Sequence, residues 1–484
     1  MSKTTILYKD VAPGAAEAAS FTSGHETGFS DLDMLRRETD PDNIATGELN
    51  QWILDGSGMV YDDQTIPFWS NQMSGADCVF DDPPVIDISL PEQYSSLGLS
   101  LLFEDGPGEF CADINIKWYQ QEELKADVDF TPDSSKAFCQ QRVEAFDRIT
   151  ITFRKTNLPY RYVKLRQIIF GLNRTFDMTE IRKARITNQM NHISAELPVS
   201  TLNWTLDSDD ELGFMFQLKQ PIEVRSDEFL IGVYYISEHK RKARTVYDLK
   251  CQDALGILDG SNFEGGVYTG YSAMALLRDI VGTDFDIDFG TVKDTTLTGV
   301  LQTSSRRAAA QQVLFAWGVC AATDGGEVIK LFQLDDTPAE ISRDRTYTGA
   351  TVETSAIVTA VRVTAHTYTE DENGKVEIGG VKYADTEAVY TVINPDVTAN
   401  DKQNVIEVKT ATMVSPAIGQ AVAQRVYDFY AHRDKASAKI VWRGELLGDC
   451  VTVPNAWDES STGNIDRMEF VLSNTVAASC EVIA

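Results

Sequence analysis

The chain has 484 residues, and its 43 lysines and arginines stand against 73 aspartates and glutamates, so the formal net charge is −30. A surface of this sign repels the phosphates of nucleic acids, which argues against a DNA-binding function. Hydrophobic residues make up 43% of the sequence and charged residues 24%, a balance that excludes global disorder and indicates several packed domains.

Residues 1–44 are broken by prolines and glycines and predict an irregular N-terminal arm. The first residues lack the apolar stretch of a signal peptide, and no apolar run reaches the roughly 20 residues that a membrane-spanning helix needs. We therefore expect no membrane-spanning segment. The seven cysteines are scattered and none is spaced as CxxC, which predicts reduced thiols rather than a disulfide framework.

Residues 45–172 contain several short runs in which apolar and polar side chains alternate. A period of two places the apolar side chains on one face of a half-buried strand, and repeated runs separated by turns predict a β-sandwich. The runs that carry this prediction are Ile86, Ile88 and Leu90; Ile114, Ile116 and Trp118; and Ile149, Ile151 and Phe153.

The segments that follow predict two further β domains with a small α/β domain between them. In residues 173–256, the apolar run 229–236 predicts a strand buried on both faces of a first β-barrel domain. In residues 257–345, one helix is predicted to begin at Ser272 and end at Gly282, and a second to begin at Ser304 or Ser305 and end at Gly318. Residues 346–484 return to strand-like patterns and predict a second β-barrel domain, interrupted by one helix that begins at Ser415 and Pro416.

No pattern identifies a catalytic centre, and we expect no catalytic residues, no cofactor and no metal. The motifs GxSxG, HExxH, GxGxxG and Walker A are absent. No histidine pairs with a cysteine at metal-ligand spacing; the five are His25, His192, His239, His366 and His432. If the chain binds calcium, the acidic pairs of the sandwich are the candidates: Asp62, Asp63, Asp81 and Asp82.

Aromatic side chains of the predicted sandwich are candidates for a sugar-stacking platform: Trp52, Trp69, Trp118 and Tyr119. Trp118 belongs to an alternating run, which favours a position in the core. Trp69 lies in a loop-like stretch and fits either the core or a platform. The sequence leaves the sugar-binding interpretation open.

Residues 45–172 resemble a discoidin-like (galactose-binding-like) jelly roll of the kind attached to tail proteins in prophages of Gram-positive bacteria. The stretches that carry the resemblance are ELNQWILDGS at 48–57, SSLGLSLLF at 95–103 and IIFG at 168–171. The resemblance implies a domain that binds sugar in many relatives, or one that docks neighbouring tail proteins.

Residues 173–484 resemble the baseplate hub and tail-tip proteins of phages. The matching stretches are YDLKCQDALGILD at 247–259, Ser305–Arg306 and Ala316–Trp317–Gly318 around one predicted helix, and GDCVTV at 448–453. The resemblance implies a homotrimer in which two barrel-like tube domains per subunit form a pseudo-sixfold ring. Such a ring adapts the hexameric tail tube to a threefold tip and lines the DNA channel.

The predicted fold is therefore mainly β with an α/β part, an N-terminal β-sandwich jelly roll followed by a hub of two barrel-like domains and a small α/β domain. The resemblance implies a non-enzymatic hub in the virion tail, made in the bacterial cytoplasm, with the distal tail protein, tail tube and tape measure as partners. A carbohydrate-binding adhesin that recognises host surface glycans through the sandwich is the alternative. A glycoside hydrolase with an accessory sandwich is the third hypothesis.

Overall fold

The computed structural model describes residues 4–37, 66–103, 108–208, 212, 215–226, 229–323, 326–334, 337–398, 400–472 and 477–484. The chain divides into two compact units. The larger unit comprises Met1–Ile6, Phe176–Leu212 and Phe216–Ala484, and the smaller unit comprises Leu7–Thr175 and Gly213–Met215. Strands hold 53% of the residues and helices 13%, which confirms the predicted mainly β fold class.

The first nine strands lie in or border the smaller unit. They are β1 (Thr4–Val11), β2 (Ser20–Ser23), β3 (Phe68–Trp69), β4 (Val85–Phe103), β5 (Cys111–Gln120), β6 (Glu123–Phe130), β7 (Lys136–Thr156), β8 (Lys164–Ile169) and β9 (Gly171–Asp177). Helix α1 spans Ala15–Ala18, and a 3-10 turn spans Leu32–Arg36. The segment predicted to be an irregular arm thus contains two strands within its described residues.

The long strands β4 and β7 organise the smaller unit. The strand order is β3-β8-β4-β7-β5-β6, and β2 also pairs with β4. The register of β4 with β7 shifts between Ser89 and Gly98, so the first half of β4 pairs with β2 and its second half with β8. Register shifts of this kind bend a strand, so that its two halves can pair in different layers of a sandwich.

The alternating runs predicted from the sequence form the core of this unit. Ile86, Ile88 and Ile149 are fully buried, and Ile116 lies opposite Ile151 across β5 and β7. The backbone also packs tightly where β9 begins, since a Cβ atom on Gly171 would lie 2.1 Å from the carbonyl oxygen of Asp10. The φ angle of Gly171 is +137°, a backbone conformation that residues with a Cβ atom adopt only with strain.

The larger unit contains the remaining elements of the chain. Its strands up to residue 345 are β10 (Ile181–Gln189), β11 (Thr201–Asp207), β12 (Pro221–Ser226), β13 (Phe229–Arg241), β14 (Val246–Gln252), β15 (Asn262–Phe263), β16 (Gly266–Ser272), β17 (Ile287–Asp288), β18 (Thr296–Leu301), β19 (Ser304–Ser305), β20 (Cys320–Ala322), β21 (Ile329–Phe332) and β22 (Ala339–Glu340). Later strands are β23 (Thr351–Thr354), β24 (Ala360–Glu370), β25 (Val376–Ile378), β26 (Val381–Ile393), β27 (Val405–Val408), β28 (Asp434–Val441), β29 (Cys450–Pro454), β30 (Ser460–Val471) and β31 (Ala477–Ile483).

Four α-helices accompany these strands in the described residues: α2 (Ala254–Ile257), α3 (Ala273–Val281), α4 (Arg306–Trp317) and α5 (Pro416–Ala431). The predicted ends of two of them are confirmed. The hydroxyl of Ser272 accepts a hydrogen bond from the N–H of Ala275, and that of Ser305 accepts one from the N–H of Ala308. Gly318 ends α4 with φ at +83°, as a C-terminal glycine does. No helix in the described segments is both long and apolar enough to cross a bilayer.

One continuous sheet joins the two regions predicted to be barrels. Its strands follow the order β23-β28-β31-β30-β10-β11-β14-β13-β12, and β29 pairs with both β22 and β30. The junction is the antiparallel pair of β10 and β30, in which Ile186 lies opposite Phe470. Strands from residues 181–252 and from residues 351–483 therefore lie side by side.

The helices pack on smaller sheets of the same unit. Helix α5 lies against β24 and β26, which form a four-stranded sheet in the order β25-β26-β24-β27. Val422, Ala423 and Val426 of α5 share a core with Val361 and Val363 of β24. Alternate residues of β24 face this core, so the side chains between them point to the opposite face of the sheet.

Candidate functional site

Two of the aromatic side chains considered for a sugar platform are buried in the smaller unit. Trp118 is fully buried and Trp69 is 8% exposed. The ring of Trp69 stacks on Tyr162 with centroids 6.3 Å apart, and the ammonium of Lys164 lies 5.0 Å from its centroid. Tyr119 is covered by the guanidinium of Arg148 at 4.2 Å. No flat pair of tryptophans is available for sugar stacking within the described residues, and Trp52 lies outside them.

The acidic pairs considered for calcium do not form a ligand cluster in the described residues. Asp81 and Asp82 are exposed, and the carboxylate of Asp82 lies 3.4 Å from Nε2 of His25. Asp62 and Asp63 lie outside the described residues. The one group of potential metal ligands in the described part of the chain is elsewhere, in the larger unit: His366, Asp385 and Glu387.

The His366 group lies on β24 and β26. Nδ1 of His366 is 2.8 Å from Oδ2 of Asp385, and its Nε2 is 3.1 Å from the carbonyl oxygen of Lys409. The ring of Tyr368 stacks on that of His366, with 6.0 Å between centroids. Burial raises the pKa of Tyr368, and the charges of Asp385 and Glu387 raise it further. Sequence analysis missed this group, because its members come together only through the pairing of two strands.

A cavity of about 370 Å³ in the larger unit is lined by residues of α5 and of neighbouring strands and loops. His192, one of the two histidines in the lining, is 8% exposed, and its ring meets that of Phe429 edge-on with centroids 6.0 Å apart. Burial lowers the pKa of His192 to about 4, with smaller contributions from the charges of His432 and Lys435. The imidazole is therefore neutral at pH 7, and a protonated His192 is disfavoured in the folded chain.

The depressed pKa of His192 predicts a loss of stability in acid. An unfolded histidine titrates near 6.5, so between pH 6.5 and 4 the unfolded chain binds the extra proton and stability falls as the pH falls. We expect the contribution of His192 to lower the free energy of unfolding by about 1.4 kcal/mol when the pH falls from 7.5 to 5.5. Urea unfolding at both pH values should give a smaller difference for His192→Gln than for the unaltered chain. Equal differences would contradict the assignment, and the exposed His239→Gln serves as the control.

Burial disfavours the reactive thiolate form of several cysteines. None of the seven forms a disulfide in the described residues, and six of them are buried. Burial raises the pKa of Cys251 and of Cys320 to about 12, and those of Cys139 and Cys480 to about 11. A thiol with such a pKa is protonated at neutral pH and does not act as a nucleophile. The predicted burial is confirmed for these six, and their reduced state stays a prediction.

Asp253, in the stretch 247–259 that carries the hub resemblance, supports a strand-to-helix corner. Its carboxylate accepts hydrogen bonds from the N–H groups of Ser200 and Gly256, both at 3.0 Å. The residue is 1% exposed and begins helix α2 directly after β14. Burial raises its pKa to about 6. The aspartate therefore joins β14, α2 and the start of β11 through its two oxygens.

Replacing Asp253 by alanine is expected to lower the free energy of unfolding by about 2–4 kcal/mol, because two buried N–H groups lose their acceptor. The measurement is urea unfolding of the full chain, followed by far-ultraviolet circular dichroism. Asp259→Ala is the matched control, since that carboxylate is partly exposed and pairs with Arg307 at 2.7 Å. Equal losses for the two variants would contradict the role given to Asp253.

Some solved protein structures resemble this chain in part of its fold. No protein-family model matches the chain, and no curated protein matches it. A solved tail protein from Neisseria meningitidis aligns with 10% identity and a TM-score of 0.46, over 64% of this chain and 94% of that one. A prophage tail protein from Listeria monocytogenes aligns with 10% identity and a TM-score of 0.42, over 64% and 91%.

A third solved structure is a family 32 carbohydrate-binding module from Clostridium perfringens, in complex with galactose. It aligns with 9% identity and a TM-score of 0.22, over 34% of this chain and 100% of that one. At these identities and TM-scores the overlap concerns parts of the fold, and it assigns no family to this chain.

Proposed function

We propose that the chain is a non-enzymatic structural protein of a phage or phage-like tail, and that it forms the trimeric hub of the tail tip. The observation that carries the proposal is the shared sheet of the larger unit. Residues 181–252 and 351–483 each contribute a group of strands, and β10 and β30 join the two groups edge to edge. Two neighbouring β regions in each of three subunits would supply the six positions of a ring that faces a hexameric tube.

The surface of the larger unit has features suited to contact with further copies. Strand β23 ends the sheet order on one side, so its outer edge has no strand neighbour within the described residues. Large apolar side chains are also exposed, with Val389 at 60%, Ile393 at 72% and Val471 at 63%. Closure of a ring removes open strand edges and covers exposed apolar side chains.

The charge of the chain suits the wall of a DNA channel. With a net charge of −30, the surface would repel the phosphates of passing DNA rather than retain them. The distal tail protein, tail tube and tape measure are the partners proposed for the two faces of the ring. The virion tail is the proposed location.

The proposal predicts the mass and symmetry of the purified full-length chain. Sedimentation at increasing concentration is expected to give a species three times the 53.7 kDa mass of the chain, and electron microscopy is expected to give rings with threefold symmetry. A chain that stays monomeric up to about 1 mM, the effective concentration that linked neighbours reach in an assembly, would contradict the trimer.

An adhesin that binds host glycans through the smaller unit is the alternative. The burial of Trp69 and Trp118 removes two of the side chains considered for stacking on a sugar. A glycan array probed with the full chain distinguishes the two functions. Saturable binding of one sugar class would favour the adhesin, whereas no binding together with a trimeric ring favours the hub.

A further inference from the structure

Three potential metal ligands share one face of the four-stranded sheet. Glu387 lies directly opposite His366 in the antiparallel pair of β26 and β24, and Asp385 lies opposite Tyr368, two positions along each strand. Because side chains alternate between faces, Asp385 and Glu387 point to the same side as His366. One ligand atom from each residue lies within 4.8 Å of the other two.

Both ring nitrogens of His366 face oxygen atoms. Nε2 lies 3.1 Å from the carbonyl oxygen of Lys409, and Nδ1 lies 2.8 Å from Oδ2 of Asp385. In the tautomer that has its hydrogen on Nε2, this nitrogen donates to the backbone carbonyl. The lone pair of Nδ1 is then directed toward the two carboxylates, where it can serve as a metal ligand.

Within the described residues, no basic side chain offsets the two carboxylates of the group. The side chain of His366 is 5% exposed, and no lysine or arginine in the described part of the chain pairs with Asp385 or Glu387. The nearby ammonium of Lys409 is bound to Glu407 at 2.6 Å, and the guanidinium of Arg362 also pairs with Glu407. Two neighbouring carboxylates therefore face one imidazole without a fixed counter-charge.

We propose that Nδ1 of His366 and one carboxylate oxygen each of Asp385 and Glu387 bind a single divalent cation of the zinc type. Zinc takes imidazole nitrogen and carboxylate oxygen together, whereas calcium and magnesium prefer oxygen alone. A zinc-bound histidine commonly donates its other N–H to a backbone carbonyl, which is what Nε2 does toward Lys409. The ion links β24 to β26 and fixes the register of the long hairpin, with the fourth coordination position open to water.

The test is titration of the metal-stripped full-length chain with zinc chloride at pH 7.5, followed by isothermal calorimetry. We expect one site per chain, absent with calcium or magnesium, and a thermal unfolding midpoint that rises with zinc concentration. Glu387→Gln is expected to weaken binding by more than about 100-fold, because loss of even an outer-shell partner costs about 10–100-fold. Glu387 is exposed, so this substitution leaves the packing of the sheet intact.

Glu377→Gln on β25 is the matched control, since it removes one exposed carboxylate of the same sheet. It should bind zinc like the unaltered chain. X-ray absorption at the zinc edge should give only nitrogen and oxygen ligands, at about 2.0–2.2 Å. The proposal is overturned if the unaltered chain binds no zinc at about 100 μM, the affinity of weak extracellular metal modules. It is overturned equally if Glu387→Gln binds zinc as the unaltered chain does.

Discussion

Replacing Trp118 by alanine is expected to lower the free energy of unfolding of the smaller unit by about 3–5 kcal/mol. The side chain is fully buried on β5, opposite Ala126 of β6 and Ile149 of β7. Truncation removes the apolar surface of the indole and leaves a cavity among close-packed neighbours that relax only in part. Scanning calorimetry of the full chain should register the change in the transition of this unit.

Two control variants separate packing from other roles of Trp118. The indole N–H has no hydrogen-bond partner among the described residues, so Trp118→Phe breaks no hydrogen bond there and is expected to cost no more than about 2 kcal/mol for the lost volume. Leu124→Ala, at a neighbouring site that is 48% exposed, is expected to change stability by less than about 0.5 kcal/mol. A Trp118→Ala chain that unfolds like the unaltered one but loses binding to a glycan would instead identify Trp118 as part of a sugar site.

Glu109→Ala is the second substitution with a large expected effect, again about 3–5 kcal/mol, because it leaves two buried cations without their shared carboxylate. The side chains of Glu109, Arg161 and Lys164 are only 6–7% exposed. One oxygen of Glu109 accepts a hydrogen bond from Nε of Arg161, and the other lies 3.2 Å from Nζ of Lys164. Loss of this carboxylate is unfavourable, because a buried charged side chain depends on the partners that offset its charge.

The same cluster allows a sharper test than a single truncation. A chain in which Glu109, Arg161 and Lys164 are all replaced by leucine or methionine should recover most of the lost stability, since no buried charge remains. The exposed pair of Arg142 and Glu144, whose side chains are both 70% exposed, provides the matched control. Glu144→Ala is expected to cost less than about 1 kcal/mol. If Glu109→Ala and Glu144→Ala have equal effects on chemical unfolding, the cluster does not stabilise the fold.

The sequence predicted correctly those strands and helix ends whose structure depends on residues close to them in the chain. The alternation of Ile86, Ile88 and Leu90 identifies a half-buried strand by itself, because the period of two is a property of the backbone. The ends of α4 were equally visible, since Ser305 and Gly318 act on backbone groups a few residues away. Strand β1 was missed because its buried face includes the polar Thr4 and Asp10, which breaks the apolar alternation.

The candidate metal group and the buried charge cluster could not be predicted from the sequence. His366 and Asp385 are 19 residues apart and meet only through the register of β24 with β26. Glu109 and Arg161 are 52 residues apart and meet through the folding of the smaller unit. A shift of one residue in either strand would move the carboxylates to the other face, and the sequence around them contains no motif that sets the register. The domain boundaries and the trimer remain predictions.

The pairing of β10 with β30 has a consequence for how the chain is made. During translation, β10 leaves the ribosome nearly three hundred residues before β30, with which it pairs in the folded chain. Until β30 has been made, that edge of β10 has no strand to pair with. Sheets with such distant pairings form slowly. The last strand, β31, lies between β28 and β30, so chains that end before it would leave both without their common neighbour. Chains that stop before β31 should therefore fail to fold the larger unit.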